Sequence, residues 1–174
     1  MEETLHPVHS ILRSAGADAP KKWVHVLNMT LEDIYHGKDF HFRVVRYKRT
    51  GKKSVVPLDL SVPPGTRPGT EIMVENAGNE RKDGTVQSIV FLVKEMKHER
   101  FRRIHDDLLM EVRLPWVDSL NDQQGEVYFQ GVDGKEHMFR VDYSRNHLLS
   151  GTAVILDAGL PTRDGEGRGR VLIR

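Results

Sequence analysis

Apolar residues along this chain recur mostly with a period of two, in short segments separated by turns rich in glycine and proline. Phe40, Phe42 and Val44 alternate with His41 and Arg43, the pattern of a strand with one apolar face. Trp23 to Asn28, Val55 to Val62 and Gly69 to Glu75 predict further strands. The last of these is entered through Pro63–Gly69, whose fixed φ angles and free glycines demand tight turns. Gln87 to Glu95 is almost continuously apolar, as expected of a strand covered on both faces. Leu108 to Leu114 opens a second series. In it Glu126 to Gln130 and Glu136 to Val141 flank Asp133-Gly134, a signal for a two-residue hairpin with positive φ at its centre. Val171-Leu172-Ile173 predicts a closing edge strand.

Helical spacing is confined to two places. Thr30-Leu31-Glu32-Asp33 forms a capping box ahead of Ile34 and Tyr35, and Gly37 supplies a left-handed stop, so one short helix is expected there. Leu5, Val8, Ile11 and Leu12, at spacings of three and four, suit a short amphipathic helix. The following Ser14–Pro20 reads as a linker, so residues 1–22 are expected to form a loosely held arm, the other reading being a segment that docks on a neighbouring surface. Met29–Val44 and Leu114–Phe129 repeat the order strand, short helix, strand. This echo predicts an all-β chain with short helices, built as two tandem β-sandwich-like or barrel domains over residues 23–103 and 104–174. A hinge is expected between His98 and Asp107.

The composition narrows the chemistry. A chain of 174 residues holds one ordinary domain or two small ones, and a net charge of +1 argues against an extended nucleic-acid footprint. With no cysteine, disulfides and thiolate zinc sites are excluded, which fits a reducing compartment such as the cytosol or nucleus. No apolar run approaches the roughly 18 residues of a membrane span. Nine histidines are present, but none has a partner at metal-ligand spacing; His98-Glu99 lacks a second histidine at i+4. Asp106-Asp107 reads as a charged strand entry rather than an acid/base pair, because neighbours on a strand point to opposite faces. Gly165–Arg170 has the glycines of a phosphate loop without the Lys-Ser ending or a following helix, and reads as a mobile turn. Ser119, Ser144 and Ser150 sit in no nucleophile elbow. No catalytic constellation and no cofactor are expected.

The order of segments resembles the C-terminal region of the J-domain co-chaperones, the DnaJ family. The resemblance rests on Met29–Lys38, Pro64–Ile72, Val90–Arg103, Asp106-Asp107-Leu108, Val132-Asp133-Gly134 and Ala158-Gly159-Leu160-Pro161, six pieces in the family's order and with similar spacing. It implies two β-sandwich-like barrels, the first holding a shallow apolar groove for extended segments of unfolded clients. In some members that groove takes the acidic tail of a seventy-kilodalton heat-shock chaperone, the partner to which clients pass. Carried over by position, the groove would be lined by His25, Leu27, Phe40, Phe42, Val44 and Phe101. These side chains are expected to face water.

The chain departs from the family pattern at several points. It has no His-Pro-Asp tripeptide and no Gly/Phe-rich linker, and Lys48–Lys53 stands where one class inserts a cysteine-rich zinc module, so it resembles the zinc-free class. Phe40 occupies a position that is commonly lysine, and a phenyl ring offers a carboxylate no donor, which argues against the acidic-tail contact. Ile104-His105 replaces the glycine-containing turn of the family. The helical dimerisation tail has no counterpart, so a monomer is expected. The competing reading is an adaptor or scaffold that keeps the fold without client binding.

Overall fold

The computed structural model describes residues 3–7, 18–113, 124–142 and 152–174. They divide into two compact units, one comprising Met1–Met29 with Gly37–Glu95, the other Thr30–His36 with Met96–Arg174. The chain passes from the first unit to the second between Glu95 and Met96, and the short helix groups with the second unit although both flanking strands lie in the first.

The first unit contains β1 (Glu3–Leu5), β2 (Lys22–Met29), β3 (Lys38–Tyr47), β4 (Lys53–Val62), β5 (Glu71–Val74) and β6 (Ser88–Glu95). They make two three-stranded sheets, ordered β1-β3-β4 and β2-β6-β5. The period-two pattern explains how these sheets meet. Phe42 and Val44 turn inward from β3, Leu60 and Val62 from β4, Leu27 and Met29 from β2, and Ile89, Phe91 and Val93 from β6, all of them buried. Phe42 stacks on Phe91 with ring centroids 5.1 Å apart, which joins the two sheets. The loop closing this unit is tied by buried amides. Gln87 Nε2 donates to the Pro20 carbonyl at 2.9 Å, and Asn79 Oδ1 accepts the Tyr47 amide at 2.8 Å. Each group thereby finds the partner that burial demands.

The second unit holds α1 (Leu31–His36) and β7 (Phe101–Ile104), β8 (Asp107–Met110), β9 (Gln124–Gln130), β10 (Glu136–Asp142), β11 (Ala153–Ile155) and β12 (Val171–Ile173). The sheet order is β11-β12-β8-β7, with β9 and β10 as a separate hairpin. Strand β12 is therefore interior, parallel to β8 and antiparallel to β11, and not the edge strand its terminal position suggested. The expected hinge is a hairpin, with Ile104 facing Asp107 and His105 taking up the left-handed conformation at φ 58°. The Asp133-Gly134 hairpin also differs from expectation. Gly131 and Lys135 close a three-residue loop, and among its residues only Gly134 has positive φ, at 74°. A turn with a single left-handed glycine is the next favoured hairpin after the two-residue form. Asp133 caps it through its carboxylate, which accepts the Lys135 amide at 3.0 Å.

The capping box forms as the sequence predicts. Thr30 Oγ1 accepts the Asp33 amide at 3.1 Å and Asp33 Oδ2 accepts the Thr30 amide at 3.2 Å. Gly37 ends the helix at φ 76°. A six-residue helix has little stability of its own. Thr30→Ala should therefore lower the stability of the second unit by about 1 kcal/mol, read as an earlier urea midpoint. An unchanged midpoint would show that packing of Leu31, Ile34 and Tyr35 holds the helix without its cap.

Candidate peptide-binding site

Strand β3 is where the sequence placed half of the groove residues, Phe40, Phe42 and Val44. Along its whole length it pairs antiparallel with β4, from Lys38 opposite Val62 to Tyr47 opposite Lys53. Among the described residues its other edge is taken at the middle, where β1 runs parallel to it with Glu3 opposite Phe42, Thr4 opposite Arg43 and Leu5 opposite Val44. Residues in register on neighbouring strands share a face. Glu3 and Leu5 accordingly lie on the side of Phe42 and Val44, while Thr4 lies with exposed Arg43. Leu5 is 2% exposed. The helix expected to begin at Leu5 is thus a strand at its first residues; Val8, Ile11 and Leu12 lie outside the described residues. The arm is a docked segment at this point.

The predicted lining residues separate into three groups. Leu27, Phe42 and Val44 are between 1% and 2% exposed, so they are interior residues of the first unit and do not face water as expected. Alternation identified the common face of Phe42 and Val44 correctly, but it carries no information about what covers that face. His25 and Phe40 are partly exposed and form the rim. His25 makes edge contacts with Phe42 and Phe91, at 5.6 and 5.8 Å between centroids, stacks on Trp23, and has Nε2 3.6 Å from the Glu3 carboxylate. Phe40 stacks parallel to Phe42 at 5.8 Å, with the Lys38 ammonium 5.3 Å from its ring. Phe101 belongs to the second unit, where it is buried against His98 and Phe129.

Backbone hydrogen-bonding capacity is the feature the side-chain pattern missed. Beyond Phe42, the stretch Asp39–His41 of β3 has no strand on the β1 side among the described residues. An uncovered strand edge is a template for another extended chain.

A shallow depression of about 270 Å³ lies elsewhere, in the second unit, lined by the start of α1 and by Met96–Arg100. Its walls are engaged in structure. His98 Nδ1 accepts the amides of Arg100 and Phe101 at 3.1 Å each, which leaves Nε2 to donate to Glu32 at 3.0 Å. Partial burial works against ionisation of Glu32, but its own backbone amide, the Thr30 hydroxyl and His98 together hold its pKa below the ordinary value. Asp107 is likewise lowered, chiefly by the hydrogen bond from the Arg170 side chain, 2.7 Å from Asp107 Oδ2. Both carboxylates are fixed as structural acceptors, so neither is poised to move a proton at neutral pH.

The sequence model of the DnaJ C terminal domain matches residues 23–174. The chain belongs to that family. Among curated proteins it is similar to Protein psi1 of Schizosaccharomyces pombe, 33% identical over 114 residues, or 63% of this chain and 30% of the relative. It is also similar to Protein SIS1 of Saccharomyces cerevisiae, 27% identical over 152 residues, covering 85% of this chain and 42% of the relative. The human DnaJ homolog subfamily B member 13 is 33% identical over 96 residues, 51% of this chain and 30% of its own length. The chain spans less than half the length of these relatives. The family match begins at Trp23, at the start of β2, so β1 and its pairing with β3 lie outside the DnaJ C terminal domain as the family defines it.

Proposed function

We propose that the first unit binds extended apolar segments of unfolded polypeptide by strand addition to the edge of β3. In this reading it serves as the client-gripping part of a co-chaperone that passes clients to a seventy-kilodalton heat-shock chaperone in the cytosol or nucleus. The observation that carries the reading is β1 itself, an extended segment paired to that edge with an aliphatic side chain buried opposite Val44. Strand addition gives affinity through main-chain hydrogen bonds and selectivity through every second side chain, which suits many unrelated clients. Phe40 and His25 form the contact rim, and Leu27, Phe42 and Val44 support it from beneath. The acidic-tail contact is not part of the proposal, because Phe40 stands where a cation would be needed.

The test is titration of a fluorescein-labelled peptide alternating leucine with serine, together with suppression of aggregation of a denatured protein. Phe40→Ala removes partly exposed apolar surface worth about 1 kcal/mol to a bound strand, so roughly fivefold weaker binding is expected with an unchanged unfolding curve. Equal affinity in the folded variant would remove Phe40 from the site. A specific observation favours the adaptor reading as well: four of the six predicted lining residues, Leu27, Phe42, Val44 and Phe101, are interior. Absence of binding to both this peptide and a short acidic tail peptide would decide for it.

A further inference from the structure

We propose that Glu3–Leu5 is a built-in occupant of the β3 edge, a strand of the chain itself that an incoming polypeptide has to displace. The inference rests on the reading of that edge as the peptide site and adds its regulation and its side-chain preference. Three features of β1 distinguish it from an ordinary sheet strand. Among the described residues it pairs over three positions, whereas β3 and β4 pair over their full length. It is joined to β2 through residues 6–21, a connection long enough to let it leave the edge without disturbing the sandwich. Among the described residues its pairing begins with Glu3 opposite Phe42, and no strand lies beside Asp39–His41 and the partly exposed Phe40 ring.

These features combine into an exchange mechanism. A tethered strand is held at an effective concentration on the order of millimolar, enough to exclude weak and short competitors. A longer strand laid down in the same direction can first pair along Asp39–His41 and cover Phe40. It can then take over Phe42–Val44 one residue at a time, which avoids complete loss of pairing at any step. The occupant also records what the edge accepts. A carboxylate stands at the first position, within 3.6 Å of His25 Nε2, and a buried aliphatic side chain stands two residues later opposite Val44. Pro7, buried in turn while Thr4 and His6 are exposed, continues the same alternation. The favoured client is therefore an extended segment parallel to β3 reading acidic, any, aliphatic, any, apolar, and longer than β1.

The decisive experiment compares three proteins, the parent chain and two variants of it, with the labelled leucine–serine peptide. Leu5→Asp should drive β1 off the edge and raise affinity about tenfold over the parent, since occupancy in cis reduces the binding-competent fraction. The chain contains no cysteine, so Thr4→Cys with Arg43→Cys, exposed partners in register, permits one defined disulfide. Oxidation should abolish peptide binding and reduction should restore it. If Leu5→Asp does not unfold cooperatively, the cysteine pair alone, oxidised against reduced, decides. Equal binding by the parent, Leu5→Asp and the oxidised pair would overturn the inference while leaving peptide binding by the domain in place. Binding by none of them, Leu5→Asp included, would remove both the inference and the function it rests on.

Discussion

Phe42→Asp is expected to unfold the first unit, with loss of amide protection along β6 and of the near-ultraviolet signal from Trp23. The ring is 2% exposed and touches Phe40, His25 and Phe91. Removing such a ring costs about 3–5 kcal/mol through lost contacts and the cavity left behind. An aspartate in its place also has to be buried charged or take up a proton, and either adds several kcal/mol. The sum approaches or exceeds the whole stability of a small domain, about 5–15 kcal/mol. Leu27→Asp should behave in the same way, because Leu27 is equally enclosed. Loss of client binding in either variant would consequently say nothing about a binding surface, whereas Phe40→Ala and the exposed Thr4→Cys, Arg43→Cys pair separate binding from folding. Cooperative unfolding of Phe42→Asp near the parent midpoint would show that the ring is a surface group after all.

Gly169→Ala should have the second large effect, in the second unit. A Cβ on Gly169 would overlap the Asp106 carbonyl and come within 2.9 Å of the Asp107 amide nitrogen. All the obstructing atoms are backbone. They are also fixed by a ladder in which the Gly159 amide donates to the Gly169 carbonyl, the Gly169 amide to the Leu160 carbonyl and the Leu160 amide to the Asp106 carbonyl. No side chain can rotate away, so the crossing itself has to open. A loss of about 3 kcal/mol, the upper part of the range for overpacking, is expected in a urea titration. Gly167→Ala two residues earlier is the matched control. The nearest atoms to its Cβ belong to the Thr162 side chain at 3.7 Å, ordinary contact, and its effect should stay within about 0.5 kcal/mol. Similar losses for both glycines would mean that the segment 165–170 is destabilised by reduced backbone freedom, not by the close approach.

Gly169 also shows why a correctly noticed motif can be misread. Three glycines in six residues predict unusual backbone geometry, and a mobile turn is the economical reading. Gly165 fits it, with φ 73° and no atom near its Cβ. Gly169 does not; its need for glycine comes from Asp106, more than sixty residues away in the chain. The same holds for β12. An apolar triplet gives length and strand character, but its place between β11 and β8 depends on which strands arrive beside it. The hairpin at Asp133-Gly134 was detected at the right residues, and its loop length was not, because one or two left-handed residues satisfy the same dipeptide.

Local chemistry lay open in the residues themselves. The period-two faces of β3 and β6, the capping box at Thr30, the left-handed stop at Gly37 and membership of a two-part β-rich family follow from neighbours within a few positions, where side-chain direction and backbone preference act directly. Folding in space decided the remainder: that Phe42 and Val44 are enclosed, that Phe101 serves the second unit, and that Glu3–Leu5 closes part of the β3 edge. Burial and strand pairing are relations between segments far apart in the chain. A pattern along one strand can show which side is apolar, but only the partner that comes to lie against it determines whether that side meets water, the rest of the domain or another polypeptide.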